Sequence, residues 1–300
     1  MSQSFANSQG SPKTIHTKAG PVETLMEGTG TECLFLHGGM GGYDQGGLLA
    51  AAALQKTQKT TRISLSRPGY LGTPLGRTKT PAAQADLYAS LLDALEIDTV
   101  SCFAISAGGP SAIEFAARHK DRVKKLILIS CCTTCLPVSN QIHVRLLMLR
   151  LFARMGFMTR KMEQKAKADP VAMAKRSIPD ENLLKKTMEN EEAWSLMQKQ
   201  QLSIFNHMRK RLPGTINDTK LFAQDREASF SGIECPTLIL HGTADRIVPH
   251  SHAELAHERI ENAKLVSLKD ADHVALFTHM KEVRNTISDL LSKRDIASHA

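Results

Sequence analysis

A serine lies where a predicted strand gives way to a predicted helix, near the middle of the chain. The apolar, β-branched residues 99–105 are typical of a buried strand, and residues 111–119 have helical spacing. Ser106 lies on the turn between them, where free backbone N–H groups at a helix start can hold a developing anion. Such a sharp turn needs small residues two positions away on each side, here Ala104 and Gly108. Ser106 is therefore a candidate nucleophile; a capping serine of an ordinary strand–helix unit is the alternative.

Two residues late in the chain could activate such a nucleophile. Asp245 follows the apolar strand predicted at 236–242, and an acid just beyond a strand end is well placed to orient a histidine. His273 lies in a loop between the last predicted strand and the final helix. Asp272 is the rival acid, but adjacent side chains rarely face each other, so we prefer Asp245.

A glycine-rich loop, His37 to Gly42, follows the apolar strand predicted at 32–36. No Lys-Ser or Lys-Thr pair follows it and the dinucleotide glycine spacing is absent, so a phosphate cradle is not indicated. Glycine instead leaves a backbone N–H unobstructed. The loop therefore suits exposure of an N–H near a reacting oxygen.

Together these motifs resemble those of the α/β-hydrolase superfamily. The turn around Ser106 is similar to its Gly-x-Ser-x-Gly elbow, with Ala104 in place of the first glycine, and the glycine-rich loop is similar to its His-Gly-Gly-x loop. The segment Asp245-Arg-Ile-Val-Pro matches the superfamily's Asp-x-x-Val-Pro pattern. The match departs before His273, where Asp272 stands in place of a common glycine.

The resemblance implies a Ser-Asp-His triad of Ser106, Asp245 and His273, in the superfamily's chain order. It also implies an oxyanion hole formed by the backbone N–H groups of Gly39 and Ala107, with Met40 as a further candidate donor. The superfamily often has an aspartate where Ser66 opens the loop after the next strand. We interpret that loop as structural.

The order of elements predicts an α/β protein with the α/β-hydrolase fold: a mostly parallel, twisted sheet with helices on both faces and an inserted helical cap. Strands alternate with helices up to about residue 132 and again from residue 231. We predict a core formed by residues 1–132 and 231–300, with a disordered tail to about residue 12, and a helical cap at 133–230. Predicted strands are 14–17, 22–26, 32–36, 62–65, 99–105, 123–129, 236–242 and 264–268; predicted helices outside the cap are 48–54, 81–95, 111–119 and 251–260.

The positive charge of the chain is concentrated in the predicted cap. Between Gln141 and Leu212 there are 15 Lys or Arg against 7 Asp or Glu, an excess that equals the net charge of +8. No nucleic-acid motif accompanies it, so we expect no nucleic-acid partner. A solvated helix face is the simplest interpretation, and attraction of anionic substrates or weak contact with an anionic surface stays open.

Other features exclude several classes. We find no secretory signal and no apolar run of membrane-spanning length, so we expect no transmembrane segment and a cytoplasmic location. The six cysteines fall mostly on or beside predicted core strands, which suits buried thiols in a reducing compartment. The pair Cys132 and Cys135 has metal-site spacing but lacks a second pair of ligands, so we predict no metal and no cofactor.

The resemblance therefore implies a serine hydrolase of carboxylesterase type that cleaves a small or medium apolar ester or thioester through an acyl-enzyme. A methionine-rich cap suits apolar ligands. Alternatives are a small-molecule receptor without turnover, a triad-dependent lyase, a C–C bond hydrolase or an aminopeptidase. The substrate and the oligomeric state stay open. The methionines of the predicted cap are Met148, Met155, Met158, Met162, Met173, Met188, Met197 and Met208.

Overall fold

A single mixed sheet organises the protein. The computed structural model describes residues 10–137, 140–224 and 229–292. The described strands are β1 (Lys13–Thr17), β2 (Gly20–Glu27), β3 (Thr31–Leu36), β4 (Thr60–Leu65), β5 (Val100–Ile105), β6 (Val123–Ile129), β7 (Thr237–Gly242) and β8 (Ala263–Leu268). Their order is β1-β2-β4-β3-β5-β6-β7-β8. The hairpin β1–β2 and its pairing with β4 are antiparallel, and all other pairings are parallel. The predicted α/β fold with a mostly parallel sheet is confirmed.

The register of the parallel strands aligns their carboxyl ends. Leu36 pairs with Ala104, Ile105 pairs with Ile129, and Ile129 pairs with Leu240. The loops that follow β3, β5, β6 and β7 therefore leave the sheet at one edge, where ligands bind in open α/β sheets.

The central strands β3, β5, β6 and β7 are mostly buried on both faces, as apolar strands of a parallel sheet require. Helices accompany it as α1 (Tyr43–Ala53), α2 (Pro81–Ala94), α3 (Gly109–Arg118), α10 (Ser251–Arg259), α11 (Ala275–Thr278) and α12 (Met280–Ser292). Leu34 and Leu36 of β3 pack in the cluster that contains α2, α3 and α10. Cys33 and Phe35 point the other way, into the cluster that contains α1 and α12, where Phe35 stacks on Phe103 with ring centroids 4.7 Å apart.

The strands and helices predicted for the core are confirmed, with one boundary displaced. Helix α1 begins at Tyr43, five residues before the predicted start at 48. Gly46 and Gly47 have low helix propensity, which concealed the first turn. Packing accounts for Gly46, since a Cβ at that position would lie 2.0 Å from Ser64 Oγ.

Six α-helices lie between β6 and β7 in the described residues, as expected for an inserted helical segment. They are α4 (Asn140–Phe152), α5 (Gly156–Ala168), α6 (Pro170–Lys175), α7 (Glu181–Glu189), α8 (Glu191–Ser203) and α9 (Met208–Phe222). Leu184 of α7 and Met197 of α8 belong to the same apolar cluster as α1 and α12. The division into a core and a cap with a boundary at 133–230 stays a prediction, and residues 1–9 of the predicted tail lie outside the described residues.

Candidate active site

The turn after β5 holds Ser106 in a strained backbone conformation at the carboxyl edge of the sheet. Ser106 has φ of +52°, in the left-handed region that side chains rarely adopt. The turn is too tight for a larger residue at position 108, because a Cβ on Gly108 would lie 2.7 Å from the carbonyl oxygen of Leu36. Ala104 is fully buried under the turn. Steric contacts at this turn therefore explain why positions 104 and 108 hold small residues.

Backbone hydrogen bonds join the loops that carry Asp245 and His273. Thr243 N–H donates to Leu268 O and Ala244 N–H donates to Ala271 O, each at 3.0 Å. The loops approach so closely that a Cβ on Gly242 would lie 2.2 Å from Ala271 O. The positions of Asp245 and His273 are therefore fixed by backbone contacts as well as by the hydrogen bond between the two side chains.

A continuous chain of hydrogen bonds connects the serine, the histidine and the acid. His273 Nε2 lies 2.9 Å from Ser106 Oγ, and His273 Nδ1 lies 2.8 Å from Asp245 Oδ2. A carboxylate only accepts, so Nδ1 carries the proton and Nε2 accepts from the serine hydroxyl. Asp272 does not share this arrangement, because its Oδ1 accepts from the backbone N–H of His273 at 2.7 Å.

Asp245 has every lone-pair direction engaged. Its Oδ1 accepts from the backbone N–H groups of Ile247 and Val248, both at 2.9 Å. Its Oδ2 faces His273 and also His241 Nε2, which lies 3.3 Å away. Burial opposes the charged form, but hydrogen bonds from His241 and His273 outweigh burial and hold the pKa of Asp245 below its ordinary value.

Sequence reasoning did not identify His241. This buried histidine lies on β7, and its Nε2 also donates to Val248 O at 2.8 Å. A polar ring in the otherwise apolar β7, four residues before Asp245, is the signal that could have revealed it. His241 supports the carboxylate on the side away from the serine.

The glycine-rich loop runs against the serine. A Cβ on Gly38 would lie 3.2 Å from Ser106 Cβ and 3.7 Å from Ser106 Oγ, whereas a Cβ on Gly39 would have no atom within 4 Å. The N–H of Gly39 has no hydrogen-bond partner among the described residues. The N–H of Met40 donates to Thr215 Oγ1 at 3.2 Å, so Met40 is engaged with helix α9. Gly39 is thus one free donor of this loop among the described residues, and the helix start that follows Ala107 offers further N–H groups.

A buried network behind this loop was not predicted from the sequence. Arg67 N–H donates to His37 Nε2 at 2.9 Å, so His37 Nδ1 carries the proton and donates to Gly38 O at 2.7 Å. Burial, together with the nearby Arg67 charge, holds the pKa of His37 well below its ordinary value. His37 is therefore a neutral support of the loop.

An ion pair from the helical insertion completes the network. The Arg67 guanidinium donates to Asp218 of α9 at 2.6 and 3.3 Å, and Tyr70 Oη donates to the same carboxylate at 2.6 Å. Burial opposes the charge of Arg67, but Asp218 raises the pKa of its guanidinium. The loop that begins at Ser66 is structural, as we interpreted it.

Comparison with known proteins identifies the family. The sequence profile of the alpha/beta hydrolase fold matches residues 34–280. The chain belongs to the alpha/beta hydrolase fold family. The solved alpha/beta hydrolase fold protein from Nakamurella multipartita superposes on it with a TM-score of 0.81 and 30% identity, covering 94% of this chain and 99% of that one.

Curated relatives of this alpha/beta hydrolase have diverse functions. It is 30% identical to YcgS, an uncharacterized hydrolase of Bacillus subtilis, over 93% of this chain and 96% of the relative. It is 25% identical to a pimeloyl-[acyl-carrier protein] methyl ester esterase of Chromobacterium violaceum, over 90% and 97%. It is 22% identical to a 2-hydroxymuconate semialdehyde hydrolase of Pseudomonas sp. CF600, over 90% of each chain. The family supports hydrolase activity for this protein.

Three further observations concern the part of the chain that the structure describes. No group of three or more His, Cys, Asp or Glu side chains there is arranged to hold a metal ion. Within the same residues, no helix has the length and apolarity needed to span a bilayer. Five of the six cysteines are buried, and Cys135 is half-buried.

Proposed function

We propose that this protein is a serine hydrolase of carboxylesterase type, which cleaves a small or medium apolar carboxylic ester or thioester. The observation that carries the proposal is the chain of hydrogen bonds from Ser106 through His273 to Asp245, at 2.9 and 2.8 Å. This is the geometry that nucleophilic catalysis by serine requires: a nucleophile within reach of a base, and the base oriented by a third group.

In the proposed reaction, Ser106 Oγ attacks the carbonyl carbon while His273 Nε2 takes the hydroxyl proton. The N–H groups of Gly39 and Ala107 hold the oxyanion of the tetrahedral intermediate. The intermediate collapses to an acyl-serine, and the departing alcohol or thiol takes the proton from His273. Water then attacks the acyl group with His273 as base and Asp245 stabilising the imidazolium, which releases the carboxylic acid and restores the serine.

The preference for an ester has support from one of the relatives. The Chromobacterium protein is named as an esterase of a methyl ester, and 97% of its length is covered by the match. The relative named as a semialdehyde hydrolase favours a second candidate, hydrolysis of a semialdehyde at the same serine. Both candidates need an activated Ser106, so a test of the serine comes before a test of the substrate.

The first experiment is labelling of the purified protein with a fluorophosphonate probe, with Ser106→Ala and His273→Ala as controls. We expect labelling of the wild type and none of Ser106→Ala, with His273→Ala strongly slowed. Initial rates with p-nitrophenyl esters of increasing acyl length then test turnover. Ser106→Ala should lower kcat by roughly 10⁴-fold or more.

The outcomes separate the alternatives. Equal labelling of the wild type and Ser106→Ala contradicts the proposal. Labelling of the serine without turnover of any ester contradicts the proposed esterase activity. Turnover of a semialdehyde would then support the second candidate. A folded protein without labelling, whose melting temperature rises with a ligand that is recovered unchanged, would indicate a receptor.

A further inference from the structure

Helix α4 carries an apolar stripe that faces solvent. Val144, Leu147, Met148 and Leu151 follow the i, i+3, i+4, i+7 spacing of a helix face that normally packs on a core. Here these four side chains are 43–66% exposed. The residues half-buried against the protein, such as Leu149, lie on another face of α4. The stripe is therefore an unpartnered apolar surface.

The exposed apolar residues of the molecule are concentrated at this place. Nine large apolar side chains are exposed in the described part of the chain, and seven of them lie between positions 142 and 157. Met155 and Phe157, which follow α4 in the chain, are exposed as well. Isolated exposed apolar residues need no explanation, but a contiguous group marks an interaction site.

The same segment is strongly basic. Residues 140–162 contain five arginines or lysines and no aspartate or glutamate. The cations are Arg145, Arg150, Arg154, Arg160 and Lys161. An apolar stripe whose own segment carries only positive charge complements an apolar phase with a negative surface.

A cavity beside α4 gathers three arginines. It has a volume of about 360 Å³ and lies between α4 and α9. Its lining includes Arg150, Arg154 and Arg209, with apolar walls from Leu75, Leu212 and Ile216. None of the three guanidinium groups makes a hydrogen bond or an ion pair with another described residue. Arginine forks match phosphate oxygens in pairs, so the cavity suits an anionic headgroup joined to an apolar chain.

We propose that this α4 surface, formed by the stripe and the three arginines of the cavity, docks on an anionic lipid bilayer. The stripe enters the interface between headgroups and acyl chains, while the arginines take lipid phosphate. A second copy of the chain fits the surface less well, because symmetric pairing of α4 would bring the cations of both copies together without acidic partners. The inference does not depend on the proposed ester chemistry.

Co-sedimentation with vesicles tests the proposal. Purified protein is mixed with vesicles of phosphatidylcholine alone and of phosphatidylcholine with phosphatidylglycerol. We expect binding to the mixed vesicles, weakening at high salt. Leu147→Ser/Leu151→Ser and Arg150→Gln/Arg154→Gln should each weaken it on the order of tenfold or more. Matched controls are Met188→Ser, an exposed methionine on α7, and Arg176→Gln, an exposed cation after α6.

Several results would overturn the proposal. The proposal fails if the wild-type protein stays in the supernatant with mixed vesicles. It also fails if the double variant Arg150→Gln/Arg154→Gln binds the vesicles as tightly as Arg176→Gln. A dimer that Leu147→Ser/Leu151→Ser dissociates, with no vesicle binding, would assign the surface to a second copy. The melting temperature of each variant verifies its fold without relying on the reactivity of Ser106, so that failure here is distinct from failure of the proposed function.

Discussion

The replacement Asp245→Asn should nearly abolish activity while leaving the fold intact. The backbone N–H groups of Ile247 and Val248 both donate to one carboxylate oxygen of Asp245. Asparagine would keep its single oxygen there, since the two backbone N–H groups can only donate, whereas the imidazoles of His241 and His273 that face Oδ2 can change tautomer. The NH₂ group would then occupy the position that now faces His273 Nδ1.

That orientation reverses the hydrogen bond that sets the imidazole tautomer. An NH₂ group can only donate to His273 Nδ1, which moves the ring proton to Nε2. A protonated Nε2 cannot accept the proton of Ser106, now 2.9 Å away. We expect a loss in kcat of about 10⁴-fold, or about 5.5 kcal/mol of transition-state stabilisation.

The assay compares initial rates of ester hydrolysis for the wild type, Asp245→Asn and Asp272→Asn. Asp272→Asn is a matched control, because the Oδ1 of Asp272 accepts a backbone N–H, as an amide oxygen also does. Among the described residues, its Oδ2 makes only a 4.0 Å ion pair with the exposed side chain of Arg246. We expect it to stay within about tenfold of the wild type. Nitrogen-15 NMR of the imidazole reports the tautomer directly. The reasoning is refuted if Asp245→Asn retains a tenth of the wild-type activity, or if Asp272→Asn loses more activity than Asp245→Asn does.

Three other predictions follow from the geometry. Gly38→Ala should lower kcat on the order of tenfold at unchanged melting temperature, because the methyl group would lie 3.2 Å from Ser106 Cβ; a rate equal to the wild type would contradict this. Asp218→Asn should destabilise the protein by roughly 3–5 kcal/mol in urea unfolding, because it leaves the Arg67 charge buried and unpaired, and a loss below about 1 kcal/mol would argue against it. Folding lowers the pKa of Asp245, so its contribution to the unfolding free energy is complete above about pH 5 and is lost as the pH falls. Asp245→Asn should therefore make the unfolding free energy depend less steeply on pH in the acid range. Urea unfolding at several pH values measures this dependence.

The fold could be predicted because its signals are local. The central parallel strands β3, β5, β6 and β7 contain runs of buried apolar residues that end in glycine or polar residues, and such runs predict a strand before any tertiary contact is known. The start of α1 could not be predicted, because Gly46 opposes a helix locally and is required only by its contact with Ser64 across the layer. At the start of α1, tertiary packing therefore outweighs the low helix propensity of glycine.

In the candidate site, too, some residues could be predicted from the sequence and others could not. Ser106, Asp245 and His273 each follow a predicted strand, and parallel strands deliver their ends to one edge. The supports of the site are different. Arg67 and Asp218 are separated by 151 positions, and neither has a neighbouring pattern that predicts the other. Buried charge pairs of this kind need the folded chain to be seen.

The contacts of helix α9 bear on how the helical insertion relates to the site. Asp218 of α9 holds Arg67, which supports His37 and thereby the glycine-rich loop. Thr215 of the same helix accepts the N–H of Met40, one residue beyond the free N–H of Gly39. These bonds make α9 a structural part of the candidate oxyanion site, although it belongs to the predicted cap by sequence.

Helix α4, at the other end of the insertion, has the opposite character. It turns its apolar stripe to solvent. Arg150 of α4 and Arg154, just after the helix, line the cavity without a partner among the described residues. Arg211 of α9, by contrast, is fully buried and bonds Asp44 at the start of α1. A buried ion pair is broken only at a cost of several kcal/mol, whereas exposed apolar contacts are exchanged freely between partners. Adaptation to a lipid surface or a substrate is therefore expected in α4 and α5, while α9 stays fixed against the glycine-rich loop.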